Sequence, residues 1–319
     1  MLQRIAILLL ALGVTSTLHA LTDAELTTIR DGFEARRDAA MQSVAGQPPQ
    51  IAAKQPPLGK GRPAFVRDWS ISITTFALRS CWLKEQLDTA NSLLLEMCRY
   101  YIDNAPERND ADNFYWSADM LCRTLEFFGK QGSRAPGRTT PEVEKAALEV
   151  LWLWTDANSH LTDADFSTSH TWFVWDSENH QLQRVTTAWH ATRLFLRDPA
   201  FADRAFHDGS TPAQHYTAWT AFLKEYLRER ARKGLWIEAA NGMYGLISLK
   251  GLYNVYDFSD DPELKRLTGQ LLDLHWADWA QEQLAGVRGG GKSRIYNSGA
   301  FTGHDYYWEL SWLYLGINR

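Results

Sequence analysis

The stretch TPEVEKAALEVLWLW, residues 140–154, indicates what kind of fold this 319-residue chain adopts. Its apolar residues recur at three- and four-residue steps, which is the period of one face of an α-helix. Thr140 followed by Pro141 is the typical order of an N-cap residue and a first-turn proline. The stretch therefore predicts an amphipathic helix that begins near residue 140. The apolar positions of that face are Val143, Ala146, Val150 and Trp154.

The same combination of a helix start and helical periodicity recurs along the chain. A Thr-Pro pair at 211–212 precedes a second apolar face over 216–226, and an Asp-Asp-Pro-Glu start at 260–263 precedes a third over 264–274. The alternation typical of strands is absent. Short Asp-Pro or Gly connections then predict an all-α fold, with about ten helices in a curved or closed array of antiparallel hairpins. Further helical stretches are predicted over 22–44, 64–80, 84–103, 110–129, 178–196, 240–257 and 304–316.

The chain divides into three parts. Residues 1–20 run from a short basic start through an apolar segment to Ala20, which is the order of a secretory signal peptide. Residues 21–63 are predicted to form an N-terminal helix and a proline-rich arm. Residues 64–319 are predicted to form one helical domain whose last hairpin is incomplete. The mature protein is therefore expected in the periplasm or outside the cell.

The composition limits the classes of molecule that the protein is expected to bind. The net charge of −5 gives the chain no general attraction for nucleic acid, and no run after residue 20 has the length of a membrane span. An anionic substrate would need positive charge concentrated in one cleft. The 14 Trp, 12 Tyr and 14 Phe are either sugar-stacking surfaces or large core residues. The three cysteines cannot all pair, so they are expected to be buried thiols or to form one disulfide at most. They are Cys81, Cys98 and Cys122.

Two patterns that often bind phosphate or metal are not expected to do so here. Residues 286–293, GVRGGGKS, match the phosphate-loop spacing, but that chemistry needs a strand before the loop, and here a helix is predicted before it. We expect instead a flexible glycine-rich loop whose Arg288, Lys292 and Arg294 could meet a polyanion. His160, His170, His180 and His190 are spaced by ten, which places successive residues on different helix faces. Neither a metal nor a cofactor is expected.

Two segments carry the candidate chemistry. WDSENH, residues 175–180, places Asn179 beside His180 at a predicted helix start, and residues 234–244 end at Tyr244 where another helix begins. Both can lie at the same end of a helical bundle. Breaking a uronic-acid polymer by β-elimination requires neutralisation of the C5 carboxylate, a base for the C5 proton and an acid for the departing O4. An amide, an imidazole and a phenol can divide those tasks.

The same residues also have an ordinary structural interpretation. Ser177 or Asp176 could be an N-cap residue, with Asn179 and His180 as polar residues of the first turn. Tyr244 could be a core tyrosine of an amphipathic helix. Spacing alone leaves both interpretations open.

The W-x-SENHQ segment, followed by a helix and then by G-x-x-x-E-x-x-x-x-x-Y, resembles the helical-toroid polysaccharide lyases, among them alginate and glucuronan lyases, over about residues 105–300. The resemblance implies an (α/α) toroid or incomplete barrel, without a cofactor, acting on an anionic polysaccharide. It implies that Asn179 neutralises the carboxylate, that His180 is the base, and that Tyr244 is the acid or serves as both. Many such lyases add an Arg, which no motif places in this chain. The residues expected to bind substrate are Trp175, Glu178, Glu238, Asn241, Arg294 and Tyr296.

Two other functions fit an exported protein rich in tryptophan. A glycoside hydrolase on a similar toroid would use carboxylates such as Asp176, Glu178 or Glu238 as general acid and base. A non-catalytic glycan-binding protein would keep the aromatic residues and need no Asn-His-Tyr set. Only elimination leaves a conjugated C4–C5 double bond, so the products of the reaction separate the three functions.

Overall fold

A computed structural model of the chain describes residues 21–43, 63–165, 177–236, 243–284, 286–288 and 307–316. Within these ranges the chain is almost entirely helical, which confirms the all-α prediction. Eleven α-helices, one 3-10 turn at Leu161–Ala164 and a pair of two-residue strands make up the secondary structure of these ranges. The helices are α1 Asp23–Ser43, α2 Pro63–Leu83, α3 Leu87–Asp103, α4 Ala105–Arg108, α5 Tyr115–Phe128, α6 Pro141–Asn158, α7 Glu178–Leu196, α8 Pro212–Lys233, α9 Met243–Phe258, α10 Pro262–Glu282 and α11 Tyr307–Leu315.

Three residues that the sequence places at helix starts act as N-cap residues. The Thr140 hydroxyl accepts a hydrogen bond from the backbone N–H of Val143 at 3.3 Å, and the Asp261 carboxylate accepts one from Leu264 at 2.8 Å. Thr211 caps α8 in the same way, as part of a capping box. Each cap satisfies an N–H group that has no partner inside its helix. These three predictions of helix starts are therefore confirmed at the level of single hydrogen bonds.

Two helices, α3 and α5, begin later than predicted. Before α3 the chain makes a tight turn in which Lys84 and Gln86 adopt left-handed φ values of 59° and 50°. Before α5 the separate short helix α4 intervenes, and the Asn113 side chain donates to the Glu107 carboxylate at 2.7 Å across the connection. Apolar periodicity reports neither a left-handed turn nor a hydrogen bond between two polar side chains. Tyr115 is consequently the first residue of α5.

Consecutive helices pair as hairpins. A turn over residues 84–86 joins α2 to α3. In the pair α7 and α8, the Trp189 indole donates to the Thr220 hydroxyl at 3.1 Å, and Glu178 at the start of α7 pairs with Arg230 near the end of α8. Contacts that run in opposite order along two helices require an antiparallel pair.

The first helices of successive hairpins run parallel to one another. At the start of α5, Tyr115 contacts His180 at the start of α7, and near the ends of the same helices Glu126 forms an ion pair with Arg193. Contacts that run in the same order along two helices require a parallel pair. The starts of α5 and α7 therefore lie at the same end of the bundle.

The direction of α9 is fixed by two contacts with α5 that run in the same order along both helices. Lys250 donates to the Trp116 carbonyl near the start of α5, and Asp257, near the end of α9, pairs with Arg123 further along α5. Gly251 packs against Thr186, and both residues lie about two turns into their helices, α9 and α7. A Cβ atom at residue 251 would overlap the Thr186 hydroxyl, so only glycine allows the two helices to pack this closely. The starts of α7 and α9 are therefore side by side.

The interior of the bundle contains many large aromatic side chains. Trp154, Trp189 and Trp219 are fully buried, as expected if many of the tryptophans serve as core residues. The three cysteines are buried and free, so the prediction of buried thiols is confirmed. Among the helices of the described ranges, none combines the length and apolarity that crossing a bilayer would require.

The first and last described helices contact each other. The guanidinium of Arg36 in α1 donates to the backbone carbonyls of Leu313 and Tyr314 at 2.8 and 3.0 Å, and Phe33 stacks on the Tyr314 ring. Because α1 also packs on α2, the helices α11, α1 and α2 form a continuous packed series.

Candidate functional site

The starts of α5, α7 and α9 converge at one end of the bundle, and each carries candidate residues in its first turn. Tyr115 is the first residue of α5, Asn179 and His180 follow the first residue of α7, and the half-buried Tyr244 is the second residue of α9. The N-terminal end of a helix carries partial positive charge and N–H groups that its own turns leave without partners. Several such ends together favour an anionic ligand.

Asn179 has an unusual environment for an amide. Its side chain is 0% exposed, and its Oδ1 accepts a hydrogen bond from the Ser177 hydroxyl at 2.8 Å. Ser177 occupies the N-cap position of α7 but bonds to Asn179 instead of capping the backbone. With the amide oxygen facing Ser177, the Nδ2 group points away from that hydroxyl and has no hydrogen-bond partner among the described residues. A buried amide NH₂ group with two N–H donors in this state is suited to a carboxylate ligand.

His180 is held from two sides. Its Nδ1 lies 2.5 Å from the Tyr115 hydroxyl, and its ring meets the Trp116 ring edge-on with centroids 4.8 Å apart. Both contacts come from the start of α5. The orientation of the imidazole is therefore fixed by the parallel packing of α5 against α7.

Glu178, which was predicted to bind substrate, is buried beside a cation of the neighbouring helix. Its carboxylate is 3% exposed and lies 2.8 Å from the guanidinium of Arg230, which is itself completely buried and stacked over the Tyr226 ring. The pair ties the first residue of α7 to the last turns of α8. We therefore assign Glu178 a positioning role, because the carboxylate already lies against a buried cation.

Two cations near His180 were missed by the sequence analysis. Arg184 follows His180 by one helical turn, and its guanidinium lies 5.4 Å from the centre of the Tyr115 ring. Side chains on a helix lean toward its N-terminus, which carries this group back toward His180. No ion pair to Arg184 occurs among the described residues, so its charge is not matched by a carboxylate there. The spacing of four from His180 was the available sequence signal.

The second cation, Lys250 of α9, is already paired. Its Nζ lies 3.0 Å from a carboxylate oxygen of the buried Asp119 and donates to the Trp116 carbonyl at 3.0 Å. This pair connects α9 to α5 next to the ring that contacts His180. Its charge is balanced, so Lys250 stabilises the frame of the site and adds little net field.

The remaining predicted substrate-binding residues lie outside the described residues, as do Asp176, Lys292 and the predicted signal peptide. Arg288 of the glycine-rich loop is described, and the expectation that its charge could meet a polyanion is wrong. It is buried, and its guanidinium pairs with Glu282 and Asp278, because the chain turns back at Gly286 and pairs strand β2, Val287–Arg288, with β1, Gln283–Leu284. The residues outside the described ranges are Trp175, Glu238, Asn241, Arg294 and Tyr296.

Within the described ranges, no three His, Cys, Asp or Glu side chains come together as a metal site. No known protein family, curated protein or solved structure matches this chain at the significance required.

Proposed function

We propose that the protein is an exported polysaccharide lyase that cleaves a uronic-acid polymer, of the alginate or glucuronan type, by β-elimination. The observation that supports this most is the buried amide donor of Asn179, which has no partner among the described residues, beside a His180 whose ring is held by Tyr115. Elimination needs a donor for a carboxylate next to a base, and this pair supplies both groups at one helix start.

In the proposed reaction, Asn179 and Arg184 bind the C5 carboxylate and withdraw charge from it. His180 removes the C5 proton, the C4–C5 double bond forms, and the C4–O4 bond breaks. Tyr244 donates its proton to the departing O4. The enzyme returns to its starting state when the proton on His180 passes to the Tyr244 phenolate. Glu178 holds the start of α7 through Arg230 and does not touch the substrate.

We propose that the helical hairpins form an incomplete (α/α) toroid. Parallel first helices in α5, α7 and α9, each followed by a returning helix, are the arrangement such a toroid requires. The contact of α11 with α1 is consistent with a closed array. In this arrangement the substrate lies across the end where the first helices begin.

Export is part of the proposal and rests on the order of residues 1–20. Protein purified from its native host should begin near Leu21, which N-terminal mass spectrometry measures. Exported protein that still carries Met1 would contradict the assignment of a signal peptide.

The decisive experiment is incubation of the purified protein with several uronic-acid polymers and one neutral polysaccharide. A lyase raises the ultraviolet absorbance of the double bond in parallel with new reducing ends, on a uronic-acid polymer only. New reducing ends without absorbance would indicate hydrolysis, and saturable binding without either product would indicate a glycan-binding protein. Either result would overturn the proposal.

A further inference from the structure

We infer that Tyr115 is a positioning residue that fixes the tautomer of His180, with the proton on Nδ1 and the lone pair on Nε2. The inference deepens the proposed function, because it names the nitrogen that acts as base. It rests on contacts at the start of α5, which no sequence motif indicated.

The first step concerns the single proton of the phenol. The Tyr115 hydroxyl oxygen lies 2.6 Å from the Ala111 backbone carbonyl oxygen and 2.5 Å from Nδ1 of His180. A carbonyl oxygen can only accept a hydrogen bond, and two oxygens this close without a proton between them repel. The phenol proton must therefore point at Ala111.

The second step follows for the imidazole. Since the phenol proton is used by Ala111, the Tyr115 oxygen can only accept from His180, and Nδ1 must carry a hydrogen. In the neutral ring the other nitrogen, Nε2, then carries the lone pair. A base needs that lone pair, so the phenol keeps the imidazole ready to remove a proton.

The third step separates Tyr115 from the acid. Its proton is directed at a backbone carbonyl one turn earlier in the chain, and its ring is packed between Trp116, Trp154 and the guanidinium of Arg184. The phenol is thus held by its surroundings and does not present its proton to a substrate. Tyr115 acts through His180 and leaves the role of acid to Tyr244.

The test is ¹⁵N NMR of the full chain labelled at its nine histidines, with the His180 signal assigned from a His180→Gln variant. Protonated and unprotonated ring nitrogens have well-separated ¹⁵N shifts. At a pH where His180 is neutral, we expect Nδ1 to be protonated in the native protein. In Tyr115→Phe, which keeps the ring packing, the fraction protonated on Nε2 should rise. A native His180 with its proton on Nε2 overturns the inference, whatever the protein does to polysaccharides.

The matched control is Tyr101→Phe. Tyr101 is also fully buried, and its hydroxyl donates to Asn113 at 2.7 Å. The Tyr101→Phe variant should leave the ¹⁵N signals of His180 unchanged. A change as large as that in Tyr115→Phe would show that the tautomer of His180 does not depend specifically on Tyr115.

Activity provides a second readout if the protein is a lyase. Tyr115→Phe should lower kcat about tenfold to a hundredfold, as loss of a partner that orients a functional histidine does elsewhere, and should shift the pH profile, with KM nearly unchanged. A rise in KM alone would contradict a positioning role. Absence of lyase activity in the native protein would overturn the proposed function. The NMR measurement of the His180 tautomer would still test the inference.

Discussion

Packing alone does not explain the burial of the Asn179 side chain. A buried N–H group without a partner costs about 1–3 kcal/mol, and a structural role would recover that cost through a hydrogen bond inside the protein. Here the Ser177 hydroxyl bonds to the oxygen end, and the donor end has no partner within the part of the chain that the structure describes. The cost is understandable if a ligand supplies the acceptor.

The role of Tyr244 is testable by removing one oxygen atom. Tyr244→Phe keeps the ring and its packing but cannot donate a proton to O4, so lyase activity should fall by roughly 10²–10⁴-fold. The measurement is the rate of double-bond formation on the best polymer. Tyr256→Phe, on the same helix and 40% exposed, should retain native activity. Full activity in Tyr244→Phe would make Tyr244 a core residue.

His275 makes the stability of the protein depend on pH. Burial, and then the charge of Arg288, lower the pKa of His275 to about 4, and its Nδ1 accepts from the Trp236 indole at 2.8 Å. The unfolded chain takes up this proton near pH 6.5 and the folded protein only near pH 4. The contribution of His275 to the free energy of unfolding is therefore fully present above about pH 6.5 and is lost as the pH falls toward 4.

Urea unfolding at several pH values checks this sign. His275→Gln retains an acceptor for the indole and does not titrate, so its free energy of unfolding should vary less between pH 6.5 and 4 than that of the native protein. His207→Gln serves as the control, since the hydrogen bond to Asp156 raises the pKa of His207. The stability that His207 contributes is present below about pH 6.5 and is lost as the pH rises, so His207→Gln should differ from the native protein mainly above pH 6.5 and in the opposite direction. If the free energy of unfolding of His275→Gln varies with pH as much as that of the native protein, the lowered pKa of His275 is contradicted.

At the scale of helices, the Glu178–Arg230 pair connects α7 to α8. A buried carboxylate whose cation is removed loses its compensation, so Arg230→Met should lower the free energy of unfolding by about 3–5 kcal/mol. The start of α7 carries Asn179 and His180, so the variant should also lose activity. Denaturant unfolding measures the first effect and the polymer assay the second.

Two further variants complete this experiment. One replaces both residues of the buried pair, and the other breaks an exposed pair. Replacing Glu178 by Leu in the Arg230→Met background removes the unpaired charge and should restore much of the lost stability. Arg232→Met breaks only the exposed pair with Glu229, 3.2 Å long, and should not change stability measurably. If Arg230→Met proves as harmless as Arg232→Met, the buried pair does not hold α7 in place.

At the scale of the whole molecule, Arg36 joins the two ends of the described chain. It donates to the last carbonyls of α11, which have no partner within that helix. Arg36→Ala should therefore speed hydrogen exchange of the α11 amides, while those of α5, α7 and α9 stay protected. Arg30→Ala, which changes an exposed residue of the same helix, is the control. Unchanged exchange in α11 would show that Arg36 does not hold the ends together.

The sequence alone determined the class of the fold and most of its helix starts. Periodicity and caps are local properties, and a cap such as Thr140 bonds to a residue three positions away in the chain. The boundaries of α7 were predicted without error for the same reason. The left-handed turn at Lys84 and Gln86 was missed, because neither residue type favours that conformation.

Only the tertiary structure decided which distant side chains meet. Tyr115 and His180 are far apart in sequence, and their contact exists because α5 and α7 run parallel with their starts aligned. The pairing of Glu178 with Arg230 and the burial of Arg288 depend in the same way on how helices or strands pack, which no local pattern records. The sequence thus identified the chemical groups of the candidate site, and helix packing determined which of them are paired and which remain available to a ligand.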